Sequence, residues 1–232
     1  AWRKEADLGR IMLEGYAQWL EETGADADLE TVGVEQKLTH ILDIDGTPVE
    51  LRGKVDHRIR NTFTGENFVV DWKTTANMEA LMEQAHTSEQ LLTYMFLERC
   101  VFKDDPEHRL GGATYTMLRK VKRTGTARPP FYDRIDVRHN EAEIDSYWLK
   151  LYGVLSDYIR VVKQLDAGVD HRIVCYPTPN SSAKWSPFKH VMSMMDDGSR
   201  VEDMINDLFV QQDPHERYNT EPADLLSDLL IA

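Results

Sequence analysis

Cysteine is scarce in this sequence, with only Cys100 and Cys175 among its 232 residues. Two thiols are too few for a disulfide framework, an all-cysteine zinc site or a four-cysteine iron–sulfur cluster. Long apolar runs are also missing, since no segment approaches the roughly 18 apolar residues that a membrane-spanning helix needs. The sequence contains neither the phosphate-binding loop of ATPases nor the glycine-rich turn of dinucleotide-binding folds. These absences exclude a membrane-embedded protein and leave ATP hydrolysis and dinucleotide binding without a motif.

The composition is that of an ordinary soluble globular protein, with 41% hydrophobic and 29% charged residues. A chain of this length buries roughly 70% of the surface that its unfolded form exposes, which is enough for a substantial core. The chain begins Ala1-Trp2-Arg3, with neither an initiator methionine nor a signal-peptide pattern. We therefore expect a trimmed piece of a cytoplasmic protein.

Basic residues are outnumbered by acidic ones, and the formal net charge of −13 argues against a general nucleic-acid binder. The charge is nevertheless unevenly distributed. Residues 1–35 carry nine acidic and three basic side chains, and residues 193–232 carry ten and two. Residues 109–138, in contrast, carry eight basic and only two acidic side chains. This basic segment is either ordinary solvated charge or a stripe that meets an anionic polymer, and the sequence leaves both interpretations open.

Hydrophobic periodicity predicts an alternation of helices and strands. Helices are expected at 5–22, 78–102, 140–166 and near 200–210, and strands at 32–43, 49–60, from Phe68 onward, 111–122 and 130–138. This order predicts an α/β fold with a central mixed sheet flanked by helices. We expect one domain over residues 1–217, with its core motifs within 5–138, and an acidic C-terminal tail over 218–232.

The most informative residues lie on two neighbouring predicted strands. Gly53-Lys54-Val55-Asp56 is followed 15 residues later by Asp71-Trp72-Lys73, which comes directly after Phe68-Val69-Val70. Alternation along the earlier strand places Asp56 on the face opposite to Val55 and Ile59. Asp71 and Lys73 share a face about 6.6 Å apart.

Two carboxylates that converge from neighbouring strands would form an oxygen-rich site of the kind that Mg²⁺ or Mn²⁺ prefers. A lysine beside such a site can orient an attacking water and stabilise charge on a phosphate. The following helix adds Gln90 and Tyr94, which are four residues apart and share a helical face. Such a pair could contact a DNA backbone or support Lys73, but taken alone it is better explained by a surface glutamine beside a half-buried tyrosine.

Three motifs have now been described: Gly53-x-x-Asp56, Asp71-Trp72-Lys73 and Gln90-x-x-x-Tyr94. In this order and spacing they resemble the RecB-type branch of the PD-(D/E)XK nuclease superfamily. They are especially similar to phage-encoded RecB-like exonucleases and to the related CRISPR-associated enzymes. The resemblance implies a restriction-endonuclease-like core and cleavage of DNA with a divalent metal, Mg²⁺ or Mn²⁺. It also implies that Asp56 and Asp71 are metal ligands, that the Trp72 backbone carbonyl is a candidate third ligand, and that Lys73 is catalytic. Glu35 resembles the upstream acid of the family and could complete the catalytic metal site.

The resemblance assigns supporting roles to further residues. Gln90 and Tyr94 match the Gln-x-x-x-Tyr motif of the family. The basic run after the fourth strand would grip the DNA backbone, through Arg119, Lys120, Lys122 and Arg123.

Two departures from the family pattern stand out. Many relatives carry a metal-binding histidine in the first helix, and here Leu13 occupies that position with Glu14 beside it. Glu35 and water could fill the coordination sphere, Glu14 could reach in, or activity could be weakened; we favour Glu35. Iron–sulfur relatives also hold a cluster with four cysteines, and the segment 176–188 resembles their C-terminal region with the cysteines replaced. We therefore expect no iron–sulfur cluster.

The sequence thus favours a metal-dependent deoxyribonuclease, a hydrolase acting as an exonuclease in phage DNA recombination, repair or processing. Two alternatives stay open: a catalytically inactive nuclease fold that binds DNA or a partner protein, and a structure-specific endonuclease of the same superfamily. Expected partners are DNA and a recombination protein such as a single-strand annealing protein, with no membrane. Relatives of this size include ring-forming assemblies, so a homo-oligomer is a candidate, and a phage protein would act in the host cytoplasm.

Overall fold

A computed structural model describes residues 2–174, 186–194, 197 and 200–213. The predicted acidic tail, Cys175 and most of the segment 176–188 lie outside the described residues. The chain divides into two compact units, residues 1–156 and residues 157–232.

The first unit is built on a five-stranded mixed sheet with helices on both faces, which confirms the predicted fold class. Its elements follow the predicted order along the chain. They are α1 (Trp2–Thr23), β1 (Leu29–Ile44), β2 (Thr47–Asn61), β3 (Asn67–Thr75), α2 (Met78–Ala85), α3 (Glu89–Val101), β4 (Leu110–Arg119), β5 (Tyr132–Val137) and α4 (Glu141–Asp166), of which α4 continues into the second unit.

The strands lie side by side in sequence order. β1, β2 and β3 form an antiparallel meander, β3 and β4 run parallel, and β5 is antiparallel to β4. A parallel pair needs a crossover connection, and here α2 and α3 supply it. The central strand β3 is buried from Asn67 to Asp71, as its continuous apolar run predicts for a strand covered on both faces.

The long β1–β2 hairpin turns at Asp45-Gly46, where both residues have positive φ angles, 50° and 77°. The right-handed twist of the strands favours such a turn, and glycine adopts this conformation without steric cost. The backbone N–H of Gly46 also donates to the Asp43 carboxylate at 2.7 Å.

The single helix predicted at 78–102 is instead two helices, α2 and α3, separated at His86-Thr87-Ser88. Ser88 begins α3, because its side chain accepts a hydrogen bond from the Leu91 N–H. Its hydroxyl also lies 2.6 Å from the Tyr115 hydroxyl on β4. This link fixes the N-terminus of α3 against the sheet.

The two faces of the sheet carry different helices. Helix α1 packs on one face, where Met12, Tyr16, Leu118 and Tyr132 form a buried cluster. Tyr115 and Leu118 are three residues apart on β4, so their side chains point to opposite faces of the sheet. Because Tyr115 contacts Ser88 at the start of α3, helix α3 covers the face opposite to α1. Successive residues of β3 therefore face α1 and α3 in turn.

The second unit, described by itself, contains the end of α4, the short helix α5 (His171–Val174), a 3₁₀ turn (Met192–Met194) and α6 (Val201–Leu208). Helix α6 confirms the short helix predicted near 200–210. Every helix in the described part of the chain is too short or too polar to cross a bilayer.

Candidate active site

The candidate site lies where the pairing between β2 and β3 ends. The two strands are paired from Arg60–Asn67 to His57–Val70. Beyond the last of these pairs, the Trp72 N–H donates to the Asp56 carboxylate, with N and Oδ2 separated by 3.1 Å. Asp56 thus replaces a backbone partner at the end of the ladder, which brings its carboxylate beside β3.

Asp71, Lys73 and Gln90 form one hydrogen-bonded group on the face of the sheet that α3 covers. The Lys73 ammonium lies 2.6 Å from Asp71 Oδ2 and donates to Gln90 Oε1 at 2.9 Å. The Gln90 amide nitrogen donates to Asp71 Oδ1, also at 2.9 Å. Gln90 therefore bridges the acid and the base of the Asp-x-Lys motif from an exposed position on α3.

Tyr94 extends this group to β2. Its hydroxyl accepts from Gln90 Nε2 and donates to the Lys54 backbone carbonyl, both at 3.2 Å. Burial raises the pKa of Tyr94, so the phenol stays protonated and keeps its donor role. The glutamine–tyrosine pair thus fixes α3 to β2 and β3 at the point where these strands part.

The electrostatics of the group are those of a partly buried charge cluster. Burial raises the pKa of Asp71, the Lys73 ammonium opposes that rise, and the nearby Asp56 carboxylate adds to it. Burial alone would lower the pKa of Lys73, but the hydrogen bond and charge of Asp71 outweigh burial and the pKa is raised. Lys73 is therefore a cation at neutral pH, and the two aspartates form a site that favours added positive charge.

Alternation along β2 breaks beside the site. A Cβ at Gly53 would lie 2.9 Å from the Leu97 side chain of α3, so this position faces α3 at very close range. Five residues later, Arg58 reaches Glu98 of the same helix. In an unbroken strand these two positions would face opposite sides. The expectation that Val55 and Ile59 share one face is therefore wrong, and Asp56 lies within the irregular stretch.

Glu35 lies on the neighbouring strand at this irregular point. It has a φ angle of 49°, which is unusual for a non-glycine residue inside a strand. With Asp56 and Trp72 it lines an open recess of about 460 Å³, and its carboxylate lies 2.8 Å from Lys54 Nζ. Glu35 is thus a neighbour of Asp56, although it is paired to a lysine.

The first helix contributes no comparable group. Leu13, in the position where many relatives have histidine, is 65% exposed. Glu14 is hydrogen-bonded to Arg10 at 3.1 Å on the exposed surface of α1.

The predicted basic residues follow the C-terminal end of β4. Because β3 and β4 are parallel, with Thr75 beside Arg119, this segment leaves the sheet at the same edge as the Asp71–Lys73 group. Arg119 donates to the Arg128 carbonyl, and Arg123 lies over the Phe131 ring. Lys120 and Lys122 are exposed. Arg123 is exposed as well, so three of these four basic side chains are presented to solvent.

The described residues contain no group of three or more histidine, cysteine, aspartate or glutamate side chains already arranged to hold a metal ion. The donors that are present nevertheless fit a hard cation. Asp71 Oδ2 is buried without a hydrogen bond of good geometry, although Lys73 Nζ is close to it. Carboxylate oxygens from Asp56, Asp71 and Glu35 are the donor type that Mg²⁺ and Mn²⁺ prefer.

Sequence reasoning missed two features of the site. Lys54, which pairs with Glu35, carried no signal beyond its place next to Gly53 in the motif. The sequence suggested a role only for the backbone carbonyl of Trp72. In the structure the Trp72 ring lies edge-on to Tyr16, with centroids 5.1 Å apart. An aromatic residue between two site residues on an alternating strand predicts a ring on the opposite face.

The five-stranded mixed sheet thus brings Asp56, Asp71 and Lys73 together where the pairing of β2 and β3 ends. The chain belongs to the PD-(D/E)XK nuclease superfamily, whose family model matches residues 2–206. Members of this superfamily generally use divalent metal ions such as Mg²⁺. The superfamily part of the predicted resemblance is confirmed, and the RecB-like branch and phage origin stay predictions.

Other comparisons are less informative. No curated protein matches the chain. A solved structure described as "Crystal structure of SSO0001" is 15% identical, with a TM-score of 0.31, over 67% of this chain and 62% of that chain. The chain thus spans about three fifths of that structure's length.

Proposed function

We propose that this protein is a metal-dependent deoxyribonuclease that hydrolyses phosphodiester bonds, and that it acts as an exonuclease in phage DNA recombination, repair or processing. The observation that carries the proposal is the bridging position of Gln90, which bonds to Asp71 and to Lys73 at once. A surface acid–base pair would not need a helix residue that holds both partners.

Asp56 and Asp71 would hold the metal, with Glu35 and the Trp72 backbone carbonyl as further candidate ligands. When bound, a divalent cation polarises the scissile phosphate and lowers the pKa of a water molecule. The raised pKa of Asp71 agrees with this role, because a cation would satisfy the charge that burial now disfavours.

Lys73 would orient water and offset charge that develops on the phosphate. Gln90 and Asp71 hold its ammonium on two sides, which fixes the direction of the remaining N–H donor. Tyr94 in turn fixes Gln90. Such preorganised donors stabilise a transition state without rearrangement at the moment of reaction.

DNA would approach along the sheet edge where the basic segment leaves β4. Lys120 and Lys122 are exposed there and available to phosphates. Binding through such contacts weakens as salt concentration rises.

The central test is Lys73→Ala, assayed with Mg²⁺ or Mn²⁺ on end-labelled linear DNA and on closed circular DNA. We expect loss of cleavage by at least about a hundredfold, the range for removing one preorganised charge-stabilising group. Lys150→Ala, which removes an exposed lysine on α4, is the matched control and should leave the rate unchanged. Unaltered digestion by Lys73→Ala would contradict the proposal, and cleavage of circular DNA would indicate an endonuclease instead of an exonuclease.

A catalytically inactive, DNA-binding or partner-binding protein is the second candidate. Exposed Leu13 in place of the first-helix histidine favours it, as does the pairing of Glu35 with Lys54. Calorimetric titration with Mn²⁺ separates the two candidates. Absence of binding at millimolar metal, together with retained DNA binding, would support the inactive alternative.

A further inference from the structure

A cleft of about 370 Å³ lies on the face of the sheet opposite to Lys73. Its lining includes side chains of β3 and β4, and His57 and Trp72 line it at the end that meets the recess beside Asp56. The lining used below consists of His57, Phe68, Val70, Trp72, Thr116 and Arg134. All of these residues belong to the first unit.

The cleft adjoins the candidate metal site. His57 and Trp72 line both the cleft and the recess that contains Asp56 and Glu35. His57 directly follows Asp56, and Trp72 directly follows Asp71, so about 3.8 Å of chain separates each Cα pair. Because β2 and β3 part at this point, groups on both faces of the sheet meet here. A ligand in the cleft would therefore lie next to a phosphate at the two aspartates.

The floor of the cleft contains an unsatisfied polar group. Thr116 is fully buried, with 0% exposure, and its hydroxyl has no hydrogen-bond partner. Leaving a buried hydroxyl unpaired is unfavourable, and valine would fill the same shape without that cost. The Arg134 Nε is also buried without a partner. Two unused polar groups around one cleft indicate a ligand that offers hydrogen-bonding atoms.

The charges around the cleft argue against a free anion as that ligand. Arg134 is paired with Asp26, and Arg138 with Glu66. The guanidinium groups are therefore already neutralised by neighbouring carboxylates. A neutral ligand fits this lining better than a phosphate does.

The aromatic end of the cleft indicates a planar ligand. The His57 and Trp72 rings are nearly parallel, at 27°, with centroids 6.5 Å apart, and Trp72 is 37% exposed. Aromatic side chains of this kind are the usual platforms for unpaired bases.

We propose that this cleft binds one unpaired nucleobase of the substrate strand, next to the phosphate that the enzyme cleaves. The base stacks against Trp72 and bonds to the Thr116 hydroxyl. The inference rests on the proposed nuclease function and adds a substrate class to it: DNA with a single-stranded or frayed end.

The test is binding of fluorescently labelled single-stranded oligothymidylate in EDTA, where no cleavage occurs. Each oligonucleotide carries one abasic site, which is moved along the strand. For the wild type we expect a single position, or two adjacent ones, at which loss of the base weakens binding by roughly 5- to 150-fold, the range for one stacked base. In Trp72→Ala and Thr116→Val this dependence should disappear, whereas Trp72→Phe should keep it.

Thr116→Val needs a stability control, since it alters a buried position. Its urea-unfolding midpoint should equal or exceed that of the wild type, because it removes an unpaired hydroxyl. Thr39→Val, at an exposed strand position, is the matched variant that should leave the abasic profile unchanged.

The outcomes separate the inference from the function on which it rests. A flat abasic profile for a wild-type protein that cleaves DNA would overturn the inference alone. A profile that persists in both Trp72→Ala and Thr116→Val would also overturn it. If the wild type bound no DNA, the proposed function would fail. Thymidine titrated against the protein would then test the cleft by shifts of the Thr116 methyl resonance, and unshifted resonances at millimolar thymidine would overturn the inference too.

Discussion

The buried ion cluster of Arg58, Glu98 and His108 offers a sharp test of how the site is held in place. Glu98 is 1% exposed, and Arg58 is 5% exposed. The Arg58 Nε donates to both Glu98 oxygens, at 3.0 and 2.9 Å, and His108 Nε2 lies 2.9 Å from the same carboxylate. Glu98 is four residues beyond Tyr94 and eight beyond Gln90, so all three lie along one face of α3. The cluster therefore fixes the helix face that carries the site.

Replacing Glu98 by alanine should be strongly destabilising. The substitution leaves the buried Arg58 guanidinium without its carboxylate, and breaking a buried pair in this way costs about 3–5 kcal/mol. Gln36 accepts from Arg58 at 2.8 Å, but a neutral amide cannot replace the lost charge. The loss would be a large part of the 5–15 kcal/mol by which domains are typically stable.

The double variant Arg58→Met, Glu98→Met separates the charge from the packing. Replacing both members of a buried pair by apolar residues of similar volume is often neutral or stabilising. We therefore expect the double variant to be much more stable than Glu98→Ala. Glu21→Ala, at an exposed position of α1, is the surface control and should change stability by less than about 0.5 kcal/mol.

Urea unfolding, followed by tryptophan fluorescence, measures these differences. At a slope of about 2 kcal/mol per M, Glu98→Ala should lower the midpoint by about 2 M. A loss below about 1 kcal/mol for Glu98→Ala would refute the argument. So would a double variant that is as unstable as the single one, because packing and not charge would then be responsible.

Two further predictions concern the aspartates. Burial raises the pKa of Asp71, so its ionisation opposes folding. The wild type should therefore lose stability relative to Asp71→Asn as the pH rises from the ordinary aspartate pKa of 3.8 through the raised pKa of Asp71. A pH-independent difference in metal-free urea titrations would contradict this. Secondly, Mg²⁺ at a hundred times its Kd should stabilise the wild type by about 2.7 kcal/mol. In the same thermal scans Asp56→Asn should gain much less, and an equal gain would place the ion elsewhere.

Much of the fold could be predicted because hydrophobic period is a local property of the chain. The alternation of apolar and polar residues in β1 and β2 sufficed to predict these two strands. The break between α2 and α3 escaped prediction for a physical reason. His86-Thr87-Ser88 interrupts a helical pattern only because Ser88 caps α3 and bonds to Tyr115, a contact across 27 residues.

The candidate site, like the fold, could be predicted from the sequence only in part. The spacing placed Asp71 and Lys73 on one face, and the family resemblance added Gln90 and Tyr94 as supporting residues. The structure brings these four side chains into one hydrogen-bonded group. The irregularity of β2 next to Asp56 could not be predicted. It depends on the close approach of α3 to Gly53, which is a tertiary contact.

The net charge of −13 does not show which carboxylates are paired with cations and which lie together at the candidate site. Many carboxylates of the first unit are paired, as Glu98 is with Arg58 and Asp26 with Arg134. Asp71 is paired with Lys73 as well, but the neighbouring Asp56 carboxylate adds to the rise in the pKa of Asp71. The fold thus holds two like charges together and offsets them only in part. A divalent cation would complete this charge balance, and its binding would offset the repulsion between the Asp56 and Asp71 carboxylates.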